Sequence, residues 1–304
     1  MIRSECNAQN HCCETDALIN IVNNNMSAIE SRSSFRTPPD RKPFELPGRA
    51  PACLLLHGFL GDTREMRPVG EAINQELGYH VYAPLWPGHG VPPQELAGLR
   101  IADFITAGKA ALNKLRAEHS QVVVCAYSMG GALAVKLIAD EPVAGFIALA
   151  PMLSIRNPLL PLAPLTRYVL PWIYPLKTTG ADAMGMREAA LTYYPDLDPS
   201  DPAGMEQLKN SFRFPLPITD ELRKMQRLAR AMACKLHTPT LILTGDTDFT
   251  LDPSGSSWLY EHLAAVDKTF FSLPGAGHDL VKPENVAHNR ILSLVIDWLR
   301  ARFT

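Results

Sequence analysis

The chain predicts an α/β fold, with a mainly parallel central sheet flanked by helices and a mainly helical insertion in its second half. Three observations carry the prediction. Short, mostly apolar runs, two of them closed by Gly58 and Pro84, read as strands buried in a sheet. Between them lie stretches with apolar residues at helical spacing. The strand–helix alternation then stops near Pro151 and resumes near Pro239, which marks the insertion.

The first strand runs from Ala52 to His57 and stops at Gly58. Thr63 to Leu77 follows as a helix, with Met66, Val69, Ile73 and Leu77 on one face and Gly78 as its stop. Tyr79 to Ala83 is the next strand, closed by Pro84. Ile101, Ile105, Leu112 and Leu115 mark a second helix. Val122 to Ala126 is a strand, Met129 to Ala139 a helix, and Val143 to Leu149 a strand. Short connections between such units imply right-handed crossovers in one sheet. From Pro151 to about His237 no strand is evident, and Leu222 to Leu236 reads as a helix on Leu222, Met225, Leu228 and Met232. The sheet resumes with Pro239 to Thr244 and Lys268 to Leu273. Helices near Ser256 to Ala264 and from Ala287 to Phe303 complete it.

The 304 residues suit one large domain with an insertion. Residues 1 to about 40 lack apolar periodicity and read as a mobile tail, so the globular part spans 41–304 with the insertion at about 151–237. No apolar core of a secretory signal is visible at the N-terminus, and Met26 is an alternative start to Met1. The net charge of −2 gives no broad attraction to nucleic acid or to anionic membranes. Of the six cysteines, Cys6, Cys12 and Cys13 fall in the polar tail, while Cys53 and Cys125 lie in apolar runs. That is no disulfide framework, and a reduced, cytoplasmic protein is expected. Cys6, His11, Cys12 and Cys13 carry metal-ligand chemistry, but no second pair of cysteines follows, and no metal is expected.

The insertion opens with an apolar, proline-studded stretch from Leu159 to Leu176. It approaches the length of a membrane span of about twenty residues. Pro161, Pro164, Pro171 and Pro175, with Arg167, argue against a spanning helix, because each internal proline costs about 3 kcal/mol. An apolar cap over a pocket is expected, and the stretch leaves membrane association through that cap open without predicting it.

The chemistry-bearing residues follow strand ends. Ala126-Tyr-Ser-Met-Gly130 stands where a strand turns into a helix, the setting of a nucleophile elbow. The sharp turn strains the Ser128 backbone toward positive φ and calls for small residues two positions either side, here Ala126 and Gly130. A serine that merely caps a helix would look the same in isolation. The chain order decides between the two: Ser128, then an acid after the strand ending at Thr244, then His278 in Gly275-Ala-Gly-His278 after the next strand. Serine needs a base to take its proton, and imidazole is the side chain that exchanges protons near neutrality. The acid has three candidates, Asp246, Asp248 and Asp252, and spacing does not separate the first two. His57-Gly58-Phe59 ends the first strand, where its Phe59 N–H, with that of Met129, can serve a developing oxyanion. The default reading of His80, His119, His262 and His288 is structural.

Together Leu54-Leu-Leu-His-Gly-Phe59, Ala83-Pro-Leu-Trp-Pro-Gly-His-Gly-Val-Pro-Pro93, Ala126-Tyr-Ser-Met-Gly-Gly131, Gly245-Asp-Thr-Asp248 and Gly277-His278 resemble the small bacterial carboxylesterases and monoacylglycerol lipases of the α/β-hydrolase superfamily. The match in order and spacing covers about residues 41–304, and residues 41–51 resemble that group's short lead-in strand. Ala126 departs from the usual glycine, and the proline-rich opening of the cap has no clear counterpart. The resemblance implies an α/β-hydrolase fold, Asp248 as the acid of the triad, and Phe59 and Met129 as oxyanion donors. It also implies a small ester substrate with an apolar acyl group of short or medium length, no cofactor, and a structural role for His89. Thioesterases, acyltransferases and carbon–carbon bond hydrolases use the same triad, and a non-catalytic binding protein on this fold is a further alternative.

Overall fold

The computed structural model describes residues 37–156, 171–177, 187, 190, 191, 193, 194, 197, 198 and 200–304. Cys6, Cys12, Cys13 and the expected tail up to residue 36 lie outside the described residues, as does the proline-rich stretch up to residue 170.

Strands β1 (Phe44–Leu46), β2 (Arg49–Leu56), β3 (Tyr79–Ala83), β4 (Val122–Tyr127) and β5 (Gly145–Leu149) lie in the first half of the chain. The two-residue strands β6 (Trp172–Ile173) and β7 (Phe214–Pro215) fall in the insertion, and β8 (Thr240–Gly245) and β9 (Lys268–Leu273) follow it. Seven of them form one sheet in the order β1-β3-β2-β4-β5-β8-β9. Every neighbouring pair is parallel except β1 with β3. Leu54 pairs with Val124, and Val124 with Phe146.

The apolar runs form strands because both faces of the sheet are covered. Ala52, Leu54, Leu56, Val122, Val124 and Ala126 face one cluster, built with helices α2 (Ile101–Glu118) and α3 (Met129–Asp140). Cys53, Leu55, Val123, Cys125 and Tyr127 face the other, built with α1 (Arg67–Leu77) and the C-terminal helix α7 (His288–Phe303). This alternation is the two-residue period of a strand seen in packing. Removing a wholly buried side chain such as Leu55 to alanine costs about 2–5 kcal/mol.

The insertion contributes α4 (Pro202–Ser211) and α5 (Leu216–Met232), and α6 (Ser254–His262) follows β8. Two differences from the expected elements stand out. β6 and β7 pair antiparallel, Trp172 with Pro215 and Ile173 with Phe214, where no strand was evident. Two-residue strands are too short to show a period. Helix α5 begins at Leu216, six residues ahead of its apolar pattern, and becomes a 3-10 turn over Ala233–Lys235. Pro217 sits in its first turn, where a missing N–H costs nothing. Ile218, Leu222, Met225 and Ala229 bury its inner face in the same cluster as α2 and α3. Glu221 accepts the Ile101 N–H at 3.0 Å and so ties α5 to the start of α2.

The topology places the site. β2 has β3 on one side and β4 on the other, so the chain order reverses across β2 and opens a crevice at the carboxyl ends of β2 and β4.

Candidate active site

Ser128 joins β4 to α3 with φ 52° and ψ −116°, a conformation that costs a non-glycine residue about 1–3 kcal/mol. Its neighbours hold it there. The Ser128 N–H donates to Leu149 O at 2.9 Å, and Ser128 O accepts from Gly131 and Met152 N–H, each at 2.9 Å. The small residues of the elbow are needed for reasons the local spacing does not reveal. A Cβ on Gly130 would lie 2.4 Å from Leu56 O and 2.8 Å from His57 O, while one on Gly131 would lie 2.8 Å from Pro151. Gly130 thus abuts the end of β2 most closely, at Leu56 and His57.

Ser128 Oγ lies 3.0 Å from His278 Nε2, and His278 Nδ1 lies 2.7 Å from Asp248 Oδ2. The other oxygen of Asp248 accepts the N–H groups of Thr250 and Leu251, both at 2.8 Å. Asp248 is only 2% exposed, so these bonds fix the carboxylate in one orientation facing His278. Since Asp248 accepts from Nδ1, Nε2 is free to accept from Ser128. The remaining two acids are placed elsewhere. Asp246 accepts the Gly275 N–H at 2.7 Å and braces the loop that carries His278, and Asp252 accepts the Ser254 N–H at 3.0 Å at the start of α6.

The Phe59 loop is anchored from within. His57 Nε2 accepts the Trp86 N–H at 3.1 Å, which leaves the ring proton on Nδ1 to donate to Gly58 O at 2.9 Å. Trp86 Nε1–H donates to His57 O at 2.9 Å. Burial, with His89 alongside, holds His57 well below its ordinary pKa, so the ring is neutral. His89 is buried against His57, Phe59 and Phe104, and burial lowers it to about 4, in keeping with a structural part. The Phe59 ring meets Phe214 of β7 edge-on at 6.1 Å, so this loop touches the insertion directly. Among the described residues, neither the Phe59 nor the Met129 N–H meets a hydrogen-bond acceptor.

The family model described as serine aminopeptidase, S33, matches residues 49–285. The chain belongs to that family. It is 24% identical over 266 residues to the carboxylesterase of Bacillus subtilis (strain 168), covering 84% of this chain and 98% of that protein. It is 22% identical over 241 residues to the thermostable monoacylglycerol lipase of Bacillus sp. (strain H-257), covering 78% and 86%. A solved structure of a metagenome-derived lipolytic enzyme matches with a TM-score of 0.71 at 22% identity, over 88% of this chain and all of that one. This S33-family chain is an enzyme, an α/β-hydrolase of the carboxylesterase and monoacylglycerol lipase type.

Two side chains beside the S33-family relay were not singled out in the sequence. Tyr127 O–H reaches His278 O at 3.3 Å and Asp279 Oδ1 at 3.2 Å, and its ring lies 5.3 Å from that of His278. Burial raises its pKa well above the ordinary value, so it stays a neutral donor. Its position beside Ser128 was the available signal. Glu65 accepts the Gly58 N–H at 3.0 Å, and nothing in its spacing marks it. Among the described residues, no group of three His, Cys, Asp or Glu side chains is arranged to hold a metal ion. No helix among them is long and apolar enough to cross a membrane.

Proposed function

We propose that the chain cleaves carboxylic esters through an acyl-enzyme on Ser128. His278 takes the Ser128 proton as Oγ attacks the ester carbonyl, and Asp248 holds His278 in the required tautomer and stabilises its cation. The Phe59 and Met129 N–H groups receive the oxyanion; a donor of this kind is worth about 3–4 kcal/mol of barrier. His278 then passes its proton to the leaving alcohol. Water, activated by the same imidazole, releases the acid. The observation that carries this reading is the continuous relay of 2.7 and 3.0 Å from Asp248 through His278 to Ser128.

The substrate proposed is a small ester with an apolar acyl group of short or medium length, monoacylglycerols included. Names of the Bacillus relatives support this class. The insertion at about 151–237 is proposed as the cap that shapes the pocket, supported by the Phe59–Phe214 contact. A reduced, cytoplasmic setting belongs to the same proposal, supported by the free, buried thiols of Cys53 and Cys125.

Hydrolysis of p-nitrophenyl esters from acetate to palmitate, beside Ser128→Ala and an aminoacyl p-nitroanilide, tests the reading. It predicts a rate that peaks at short or medium chains and is lost in Ser128→Ala. Faster cleavage of the amide, as the family's peptidase description would have it, overturns the ester assignment.

A further inference from the structure

Glu65 lies in the 3-10 turn Thr63–Met66, just after the Phe59 loop, and takes no part in the reaction as described. Its carboxyl folds back into that loop. Oε2 accepts the Gly58 N–H at 3.0 Å. A Cβ on Gly61 would lie 2.2 Å from Glu65 Cδ and Oε2, so position 61 has no room for a side chain while the carboxyl is there.

Two successive peptide groups precede the Phe59 side chain, and they offer four polar atoms. His57 O is held by the Trp86 indole N–H, Gly58 N–H by Glu65, and Gly58 O by His57 Nδ1–H. The fourth, the Phe59 N–H, has no acceptor among the described residues. A trans peptide is planar, with its C=O and N–H pointing opposite ways. Pinning three of the four atoms therefore sets the direction of the last.

We infer that Glu65 is a positioning residue of the oxyanion loop, holding the Gly58 N–H so that the Phe59 N–H faces the reacting carbonyl, and that it works as a neutral acid. The inference rests on the serine-esterase reading above. Neutrality matters because a carboxylate here would set a negative charge against the developing oxyanion. The groups around Glu65 are Asp62 in its own loop, Asp279 and Lys282 after β9, Tyr127 at the end of β4, and Tyr193. Burial is the main influence, Asp62 and Asp279 add to it, and the Gly58 N–H and Lys282 oppose it; together they push the carboxyl up to about 8.

The test is the steady-state turnover of p-nitrophenyl butyrate by wild type, Glu65→Gln and Glu65→Ala, from about pH 6 to about pH 10, with Ser128→Ala as the blank. Glu65→Ala should lower kcat about tenfold or more with KM within about twofold, because alignment in the transition state is lost and substrate binding is not. Glu65→Gln, which keeps an acceptor for Gly58, should recover most of that loss. Wild-type kcat should fall as the pH rises through about 8, and Glu65→Gln should not follow it. An alanine variant within about twofold of wild type, a glutamine variant no better than alanine, or the same alkaline fall in Glu65→Gln each overturns the inference. Should Glu65→Ala fail to fold, the pH profile of Glu65→Gln decides alone. A wild type without Ser128-dependent turnover overturns the esterase reading and this inference with it, whereas the outcomes above, in an active wild type, overturn this inference alone.

Discussion

Gly130→Ala sets two physical effects of opposite sign against each other. Gly130 is the second residue of α3, and replacing a helical glycine by alanine stabilises a helix by up to about 1 kcal/mol. The new methyl group, however, would sit 2.4 Å from Leu56 O, whereas real Cβ contacts essentially never fall below 3.0 Å. Helix α3 and the end of β2 must part by at least about half an ångström, and such overpacking of a backbone contact costs about 1–3 kcal/mol. Clash wins over propensity by about 1–2 kcal/mol, or several degrees of Tm for a domain of this size. The displacement falls between the Met129 and Phe59 N–H groups, so turnover should drop about a hundredfold. Gly108→Ala in α2 is the control. The nearest atoms to its Cβ would be side-chain carbons of Leu133, Leu137 and Trp86, at an ordinary 3.6–3.7 Å, so the same substitution should stabilise by about 0.5–1 kcal/mol and leave turnover intact. Urea unfolding followed by circular dichroism, with p-nitrophenyl butyrate turnover, reads both quantities. A Gly130→Ala protein as stable as Gly108→Ala, with wild-type turnover, would refute the account of the elbow.

Two further outcomes are expected. Asp248→Asn should lower kcat about ten-thousandfold by disturbing the His278 tautomer, while Asp246→Ala, which loses only a brace on the Gly275 loop, should cost about tenfold or less in the same assay. His57 and His89 are buried neutral, so below about pH 6.5 the unfolded chain binds protons that the folded chain refuses, and stability should fall by about 1.4 kcal/mol per pH unit for each. Glu65 acts in the opposite sense: raised to about 8, it binds its proton more tightly when folded, so acidification restores stability there. Urea unfolding at about pH 7 and about pH 5.5 should therefore show a steeper acid loss in Glu65→Gln than in wild type, and equal or flat profiles would contradict these shifts.

The central strands of the sheet were legible because a strand covered on both faces is a continuous apolar run, as Leu54 to Leu56 and Val122 to Cys125 are. Ser128 and His278, which the fold brings within 3.0 Å of each other, could be picked out as candidates because each follows such a run. The candidate acid was harder to pick out: Asp246 and Asp248 follow the same strand two residues apart, and only the folded loop turns Asp248 toward His278 while Asp246 braces Gly275. What stayed hidden depends on contacts between distant segments. Gly130 is small because of Leu56 and His57, more than seventy residues away in the chain, and the pairing of Trp172 with Pro215 leaves no local period. Glu65 reads as one more charge near the start of a helix until the loop folds back onto it.

The central claim is that Ser128 is an activated nucleophile. A fluorophosphonate reports it directly, since the attacking oxygen bonds to phosphorus as fluoride leaves. Intact-protein and peptide mass spectrometry of the labelled chain should find one adduct, on Ser128, absent from Ser128→Ala and strongly slowed in His278→Ala. No adduct on the folded wild type, or an adduct elsewhere that persists in Ser128→Ala, would contradict the account.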